Sequence, residues 1–174
     1  MRQLFRTWVA MAVFGAGLIH LAVAAAAPVP LLAAFAVLGA AELVWAVVTL
    51  ARGRYVLSAA APLFTLAPIV VWGSGIAAGV DSAQIPPIAL AAGTLLDLIA
   101  TIAVALERRR GTARKTADSP AAGRLVLGFV AGAFAMAAIT LPALGQTAAG
   151  IAASNGPHSH QAPSLEIEVD HPGH

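Results

Sequence analysis

The sequence predicts an all-α integral membrane protein with five transmembrane helices, an N-terminus in the cytoplasm and a C-terminal tail outside. Three observations carry that expectation. Of 174 residues, 59% are hydrophobic and 10% charged, against about a quarter charged in a soluble domain. The apolar residues fall in long runs, and a hydrocarbon core of about 30 Å takes roughly 20 helical residues at 1.5 Å each. All ten Lys and Arg residues gather in three patches: Arg2 and Arg6, Arg52 and Arg54, and the stretch from Arg108 to Arg124. The turns around Pro28–Pro30 and Asp81–Pro87 carry no basic residue. Helices strung between these segments leave every fixed cation on one face of the bilayer, which is the positive-inside pattern.

The first span is expected over Trp8–Ala27. Arg2 and Arg6, an apolar run and the small residues Ala24–Ala27 also resemble a secretory signal peptide. The length of the run, Pro28 beside the cutting site and His20 within it favour a retained helix; cleavage would leave four spans in the same orientation. The second span is expected over Leu31–Ala51, the third over Tyr55–Gly79, the fourth over Ile88–Leu106 and the fifth over Leu125–Ile151. Lipid offers no water to backbone groups, so these runs must be helices or barrel strands. They lack the alternation of barrel strands. The third contains Pro62, Pro68, Gly73, Ser74 and Gly75, a composition that kinks or breaks a helix. In the fifth, Gly128, Gly132, Ala135, Ile139, Pro142 and Gln146 form an expected packing seam. Gly75–Gly79 and Gly128–Gly132 are GxxxG pairs, which tight packing inside the bundle explains as well as dimerisation does.

The chain thus divides into a four-helix membrane core (1–106), a cytoplasmic basic loop (107–124), a fifth helix (125–151) and an external tail (152–174). The pI near 9.9 does not point to nucleic acid, because the basic residues flank apolar spans and face anionic headgroups instead. The expected location is the inner, cytoplasmic membrane, with lipid as the main partner and a membrane protein or a second copy as a further one. Cysteine is absent, which excludes disulfides and thiolate chemistry within the chain.

Three ionisable residues fall inside the spans: His20, Glu42 and Asp97. A carboxylate at the bilayer centre costs about 2.5–3.5 kcal/mol on insertion scales, so such residues face other helices and are functional candidates. Counting residues from the expected span ends places them about 18, 16 and 14 Å deep, respectively, all near the midplane. Asp97 shares a helical face with Gly93, Thr94 and Thr101, Glu42 with Gly39, Trp45 and Thr49, and His20 with Ala16, Gly17 and Ala24. Small and hydroxyl residues permit close helix approach and cross-helix hydrogen bonds. Two carboxylates and an imidazole at one depth can share a proton or hold a cation, with Thr94 and Thr101 as neighbouring ligands. The alternative is a hydrogen-bonded trio that fixes helix packing. Haem is not expected, since bis-His ligation needs two buried histidines and the spans hold one.

Beyond Ser154 the chemistry changes. The tail carries His158, His160, His171 and His174 with Glu166, Glu168 and Asp170. Imidazole and carboxylate donors suit Cu, Zn or Ni, although the spacing matches no closed zinc motif. No nucleophile–base pair or catalytic motif is visible, so enzymatic activity is not expected.

Gly17-Leu-Ile-His20 followed by Gly39-Ala-Ala-Glu42 resembles the DoxX-like group of small membrane proteins. That resemblance covers roughly the first fifty residues and implies a four-helix protein, some members being associated with oxidoreductase systems. The fifth span and the His-bearing tail depart from the pattern. The leading functional expectation is transport or ion handling of a proton or transition-metal cation through the intramembrane cluster. The second is a non-catalytic accessory subunit of a larger respiratory or redox membrane complex.

Overall fold

Apolar runs without strand alternation should form helices, and in the computed structural model every regular element among the described residues is helical. The structure describes residues 2–56, 61–81, 85–111 and 122–155. Six α-helices follow in order: α1 Arg2–Ala24, α2 Val29–Arg52, α3 Ala61–Ala77, α4 Pro87–Gly111, α5 Ala122–Gly145 and α6 Ala148–Ser154. Four contain stretches long and apolar enough to cross a membrane: Gln3–Ala24, Val29–Arg52, Pro87–Arg109 and Val126–Gly145.

Proline and glycine set the ends. Pro28 precedes α2 and Pro30 sits in its first turn, where a missing N–H costs nothing. Gly53 closes α2 in the left-handed conformation at φ 58°. Gly79, at φ 76°, closes α3; its N–H bonds Ile76 O and the N–H of Val80 bonds Gly75 O, the paired pattern of a Schellman stop.

Two spans differ from expectation. The third was expected over Tyr55–Gly79, but α3 is a 17-residue apolar helix, about 26 Å long. Pro62 falls in its first turn, so Pro68 alone interrupts the helix interior. The fifth was expected to run unbroken to Ile151. Instead α5 ends at Gly145, and Thr147 caps the separate short α6 by accepting a hydrogen bond from Gly150 N at 3.1 Å. The basic loop is also shorter at both ends, because α4 carries Glu107 to Gly111 and α5 begins at Ala122.

α1 is the axis of the bundle and packs against α2, α4, α5 and α6, while α3 covers α2 and α4. Ala10, Ala16, Ile19 and Val23 of α1 are completely buried. Its contact with α2 is backbone to backbone. A Cβ on Gly39 would stand 2.7 Å from Gly17 O, and one on Gly17 would stand 2.9 Å from Gly39 O. Both glycines lie eleven residues from Pro28, so α1 and α2 form an antiparallel hairpin that crosses where neither helix has a side chain.

α5 meets α1 through its glycines. Gly128 packs on Leu4, Gly132 packs on the Trp8 indole, and Trp8 Nε1 donates to Gly128 O at 2.7 Å. The GxxxG pair is thus used inside the bundle. The expected seam continues differently. Ala135, Pro142 and Gln146 are exposed, and the buried row runs through Gly132, Thr140 and Ala143. From Gly128 to Thr140 the row keeps the i±4 ridge of a helix and takes a step of three only to Ala143; of the expected seam beyond Gly132, Ile139 does pack against the core.

The ends of the bundle differ in chemistry. Arg6 of α1 binds Glu107 of α4 through Nε at 2.9 Å and Nη2 at 2.7 Å, and donates from Nη1 to Gly53 O at 2.9 Å. Its guanidinium lies 5.7 Å from the centre of the Tyr55 ring. These contacts gather the start of α1, the end of α2 and the end of α4 at one place, here termed the basic end.

Candidate functional site

The buried pocket follows from the α1–α2 crossing. Helical side chains lean toward the N-terminus of their own helix. In an antiparallel pair, His20 and Glu42, each three residues past its glycine, therefore lean toward each other across the crossing. His20 Nδ1 and Glu42 Oε2 meet at 2.7 Å, and neither side chain has any exposed surface. The imidazole stacks on Phe35, ring centres 6.0 Å apart and planes 17° from parallel.

α4 completes the pocket with a glycine and an acid on one face. A Cβ at Gly93 would stand 3.1 Å from His20 Nε2, so this glycine leaves the space into which the ring edge points. Asp97 lies one turn further on and is fully buried. One donor atom from each of His20, Glu42 and Asp97 lies within 4.8 Å of the others. Four polar atoms of the trio find no protein partner: His20 Nε2, Glu42 Oε1, and Asp97 Oδ1 and Oδ2. Buried polar atoms are nearly always satisfied, and in an apolar surrounding each orphan costs about 1–3 kcal/mol or more. The donor set is one nitrogen and two carboxylates, which fits a proton shared among them or a cation of the first transition row.

The two threonines named beside the cluster take different positions. Thr94 is half-buried on α4, three residues before Asp97. Thr101 faces α3, where its hydroxyl donates to Ala61 O at 2.8 Å and pairs with Thr65 Oγ1 at 2.8 Å. It anchors the short α3 to α4. His158, His160, His171 and His174 lie outside the described residues.

Sequence reasoning missed the Phe35 stack, the seat at Gly93 and the assembly at the basic end. There Trp45 stacks on Tyr55, ring centres 6.1 Å apart, and meets Phe64 edge-on at 5.9 Å; its Nε1 donates to Val56 O. Burial, with the Glu107 carboxylate nearby, pushes the Tyr55 hydroxyl above the ordinary phenol range, so this group stays neutral. The available signal was Glu107 itself, an acid directly before three arginines. Its role depends on which distant arginine reaches it, and spacing does not tell.

No family model, curated protein or solved structure matches the chain. The likeness to DoxX-like proteins therefore stays at two short motifs, and their glycines already have a geometric reason in the crossing of α1 and α2.

Proposed function

We propose that this chain is a small multi-pass protein of the inner membrane that handles protons or a transition-metal cation through His20, Glu42 and Asp97. The observation that carries the reading is the convergence of three fully buried ionisable side chains from three helices, with four of their polar atoms unpartnered. Ionisable groups at membrane depth are costly and mark ion paths by default. With a neutral imidazole, the two ionised carboxylates carry two negative charges. Two protons or one divalent cation neutralise them, so the pocket suits exchange of one for the other.

In this reading all five long apolar segments cross the bilayer. α3, at 17 residues, reaches the lower limit for a span. The basic end lies in the cytoplasm, and α6 and the His-rich tail lie outside. The tail histidines collect Cu, Zn or Ni ions before they enter the membrane. Burial of α1 at the bundle axis supports its retention as a helix.

Flux of protons and of Zn(II) or Cu(II) into liposomes containing the purified protein tests the reading. Replacing His20 and Glu42 by Gln and Asp97 by Asn should abolish the flux. Flux that survives the triple replacement removes the cluster from the mechanism. Metal analysis of the full chain and of a chain ending at Ser154 separates ions held by the tail from ions held by the pocket.

One observation favours the accessory-subunit reading instead. α5 turns Ala131, Ala135 and Ala138 outward, and a row of small residues is a surface on which a further membrane helix can pack closely. Stoichiometric co-purification of a partner, with activity of the assembly unchanged by Asp97→Asn, would favour that reading over transport.

A further inference from the structure

Buried polar atoms without a protein partner are unevenly distributed along the bundle. Four belong to the trio; of three others, Thr49 Oγ1 lies between the trio and the basic end, and Tyr55 Oη and Glu107 Oε2 face each other at the basic end itself. Thr49 is seven residues beyond Glu42 on α2, about 10 Å along the axis, and Glu107 is ten beyond Asp97 on α4, about 15 Å. The Thr65–Thr101 pair lies in the same half. Thr49 is only 1% exposed and shares the inward face of α2 with Glu42 and Ala46.

The opposite half is sealed. From the trio toward Pro28 and Pro87, the buried side chains of α1, α2, α4 and the segment before α4 are apolar among the described residues, Val23, Ala27, Phe35, Ile85, Ala89 and Leu90 among them; the buried Thr147 between α5 and α6 has its hydroxyl closed off by Leu144 O and Gly150 N. Of the buried atoms without a partner among the described residues, only Thr140 Oγ1 lies elsewhere; it sits on α5 against Gly15, five residues to the basic side of His20.

We infer that the His20–Glu42–Asp97 pocket communicates with water from the basic end alone, along a polar file through Thr49, Tyr55 and Glu107 framed by Arg6. Buried polar atoms in a row are where ordered water is held, and such a file carries protons or a small hydrated cation. Arg6 ties together the three segments around its mouth through Glu107, Gly53 O and the Tyr55 ring. The polar file therefore leads from the buried pocket toward one face, and passage to the other requires Phe35 and its apolar neighbours to part. This inference rests on the pocket being the working site, and it adds the side from which that site is served.

The chain has no cysteine, so an introduced thiol is unique. Water-soluble thiosulfonate reagents react with thiolate, which forms in water and not in an apolar core. Thr49→Cys and Ala46→Cys on the proposed file, and Ala89→Cys and Ala24→Cys on the sealed side, are labelled in nanodiscs, where both membrane faces are open to reagent. Ala89 lies two residues inside its helix end and Thr49 three, so nearness to the surface alone would favour Ala89. The expected result is labelling about tenfold or more faster at Thr49 and Ala46 than at Ala89 and Ala24. Arg6→Gln should accelerate labelling at Thr49 further. Equal rates on the two sides, both with Arg6 in place and after Arg6→Gln, or faster labelling at Ala89, would overturn the inference. Labelling needs no transported ion. Absent flux with one-sided labelling thus sinks the transport reading alone, and normal flux with two-sided labelling sinks this inference alone.

Discussion

The α1–α2–α4 trio and the α5–α6 arm are built from the same apolar alphabet and packed in opposite ways. Across an apolar 18-residue stretch of α1 61% of residues are buried, and across one of α5 17%. The trio meets through backbone contact at Gly17 and Gly39 and through three ionisable side chains with no exposed surface. α5 touches α1 through Gly128, Gly132 and one indole hydrogen bond, while Val126, Leu127, Phe129 and Phe134 point away from the bundle. Hydrophobicity does not tell these helices apart, because an apolar side chain is equally content against lipid or protein. Small residues and buried polar groups decide which helices become the core.

Stability in detergent or nanodiscs, followed by thermal or denaturant unfolding, can sharpen that contrast. The largest loss is expected for Glu42→Ala, about 3–5 kcal/mol, because it removes the hydrogen-bond partner of the buried imidazole and leaves a cavity beside it; Glu42→Gln keeps a hydrogen-bonding group and should cost less. A loss no greater than that of a lipid-facing change would show the trio to be energetically idle. Gly39→Val comes next, at about 1–3 kcal/mol from overpacking against Gly17 O, and it should also weaken any metal or proton activity by separating α1 from α2. Trp8→Phe removes the bond to Gly128 O and should cost about 1 kcal/mol, loosening α5 and leaving the pocket intact; lost flux in this variant would mean that the arm belongs to the mechanism. Arg6→Gln breaks a partly exposed ion pair and should cost no more than about 1 kcal/mol, less in high salt. Phe134→Leu, on the outward face of α5, should fall within about 0.5 kcal/mol of the parent.

The separation of the two regions explains what could be read in advance. Helix content and the four helices long and apolar enough to cross a membrane were legible, because length and hydropathy act locally. The third span was overestimated for an equally local reason. Pro62 reads as an interior kink until Ala61 is seen to begin the helix, and there proline is harmless. The seam on α5 was drawn with the wrong period after Gly132. A helix in a row of Ala, Gly and Ile offers several stripes of similar composition, and the one that packs is fixed by contacts with α1, of Gly132 with Trp8 and of Thr140 with Gly15.

The sequence alone settled that apolar, strand-free runs must close their backbone hydrogen bonds as helices, and that the arginines cluster at the breaks between runs. It also placed His20, Glu42 and Asp97 at similar depth, because axial rise is a fixed length per residue. Their rotation about the helix axes was not fixed in this way. The 2.7 Å contact of His20 with Glu42, the approach of Asp97 over Gly93 and the reach of Arg6 to Glu107 depend on crossing points between helices far apart in the chain. Those points are chosen by where glycines let backbones touch, which is a property of pairs of helices and not of either one.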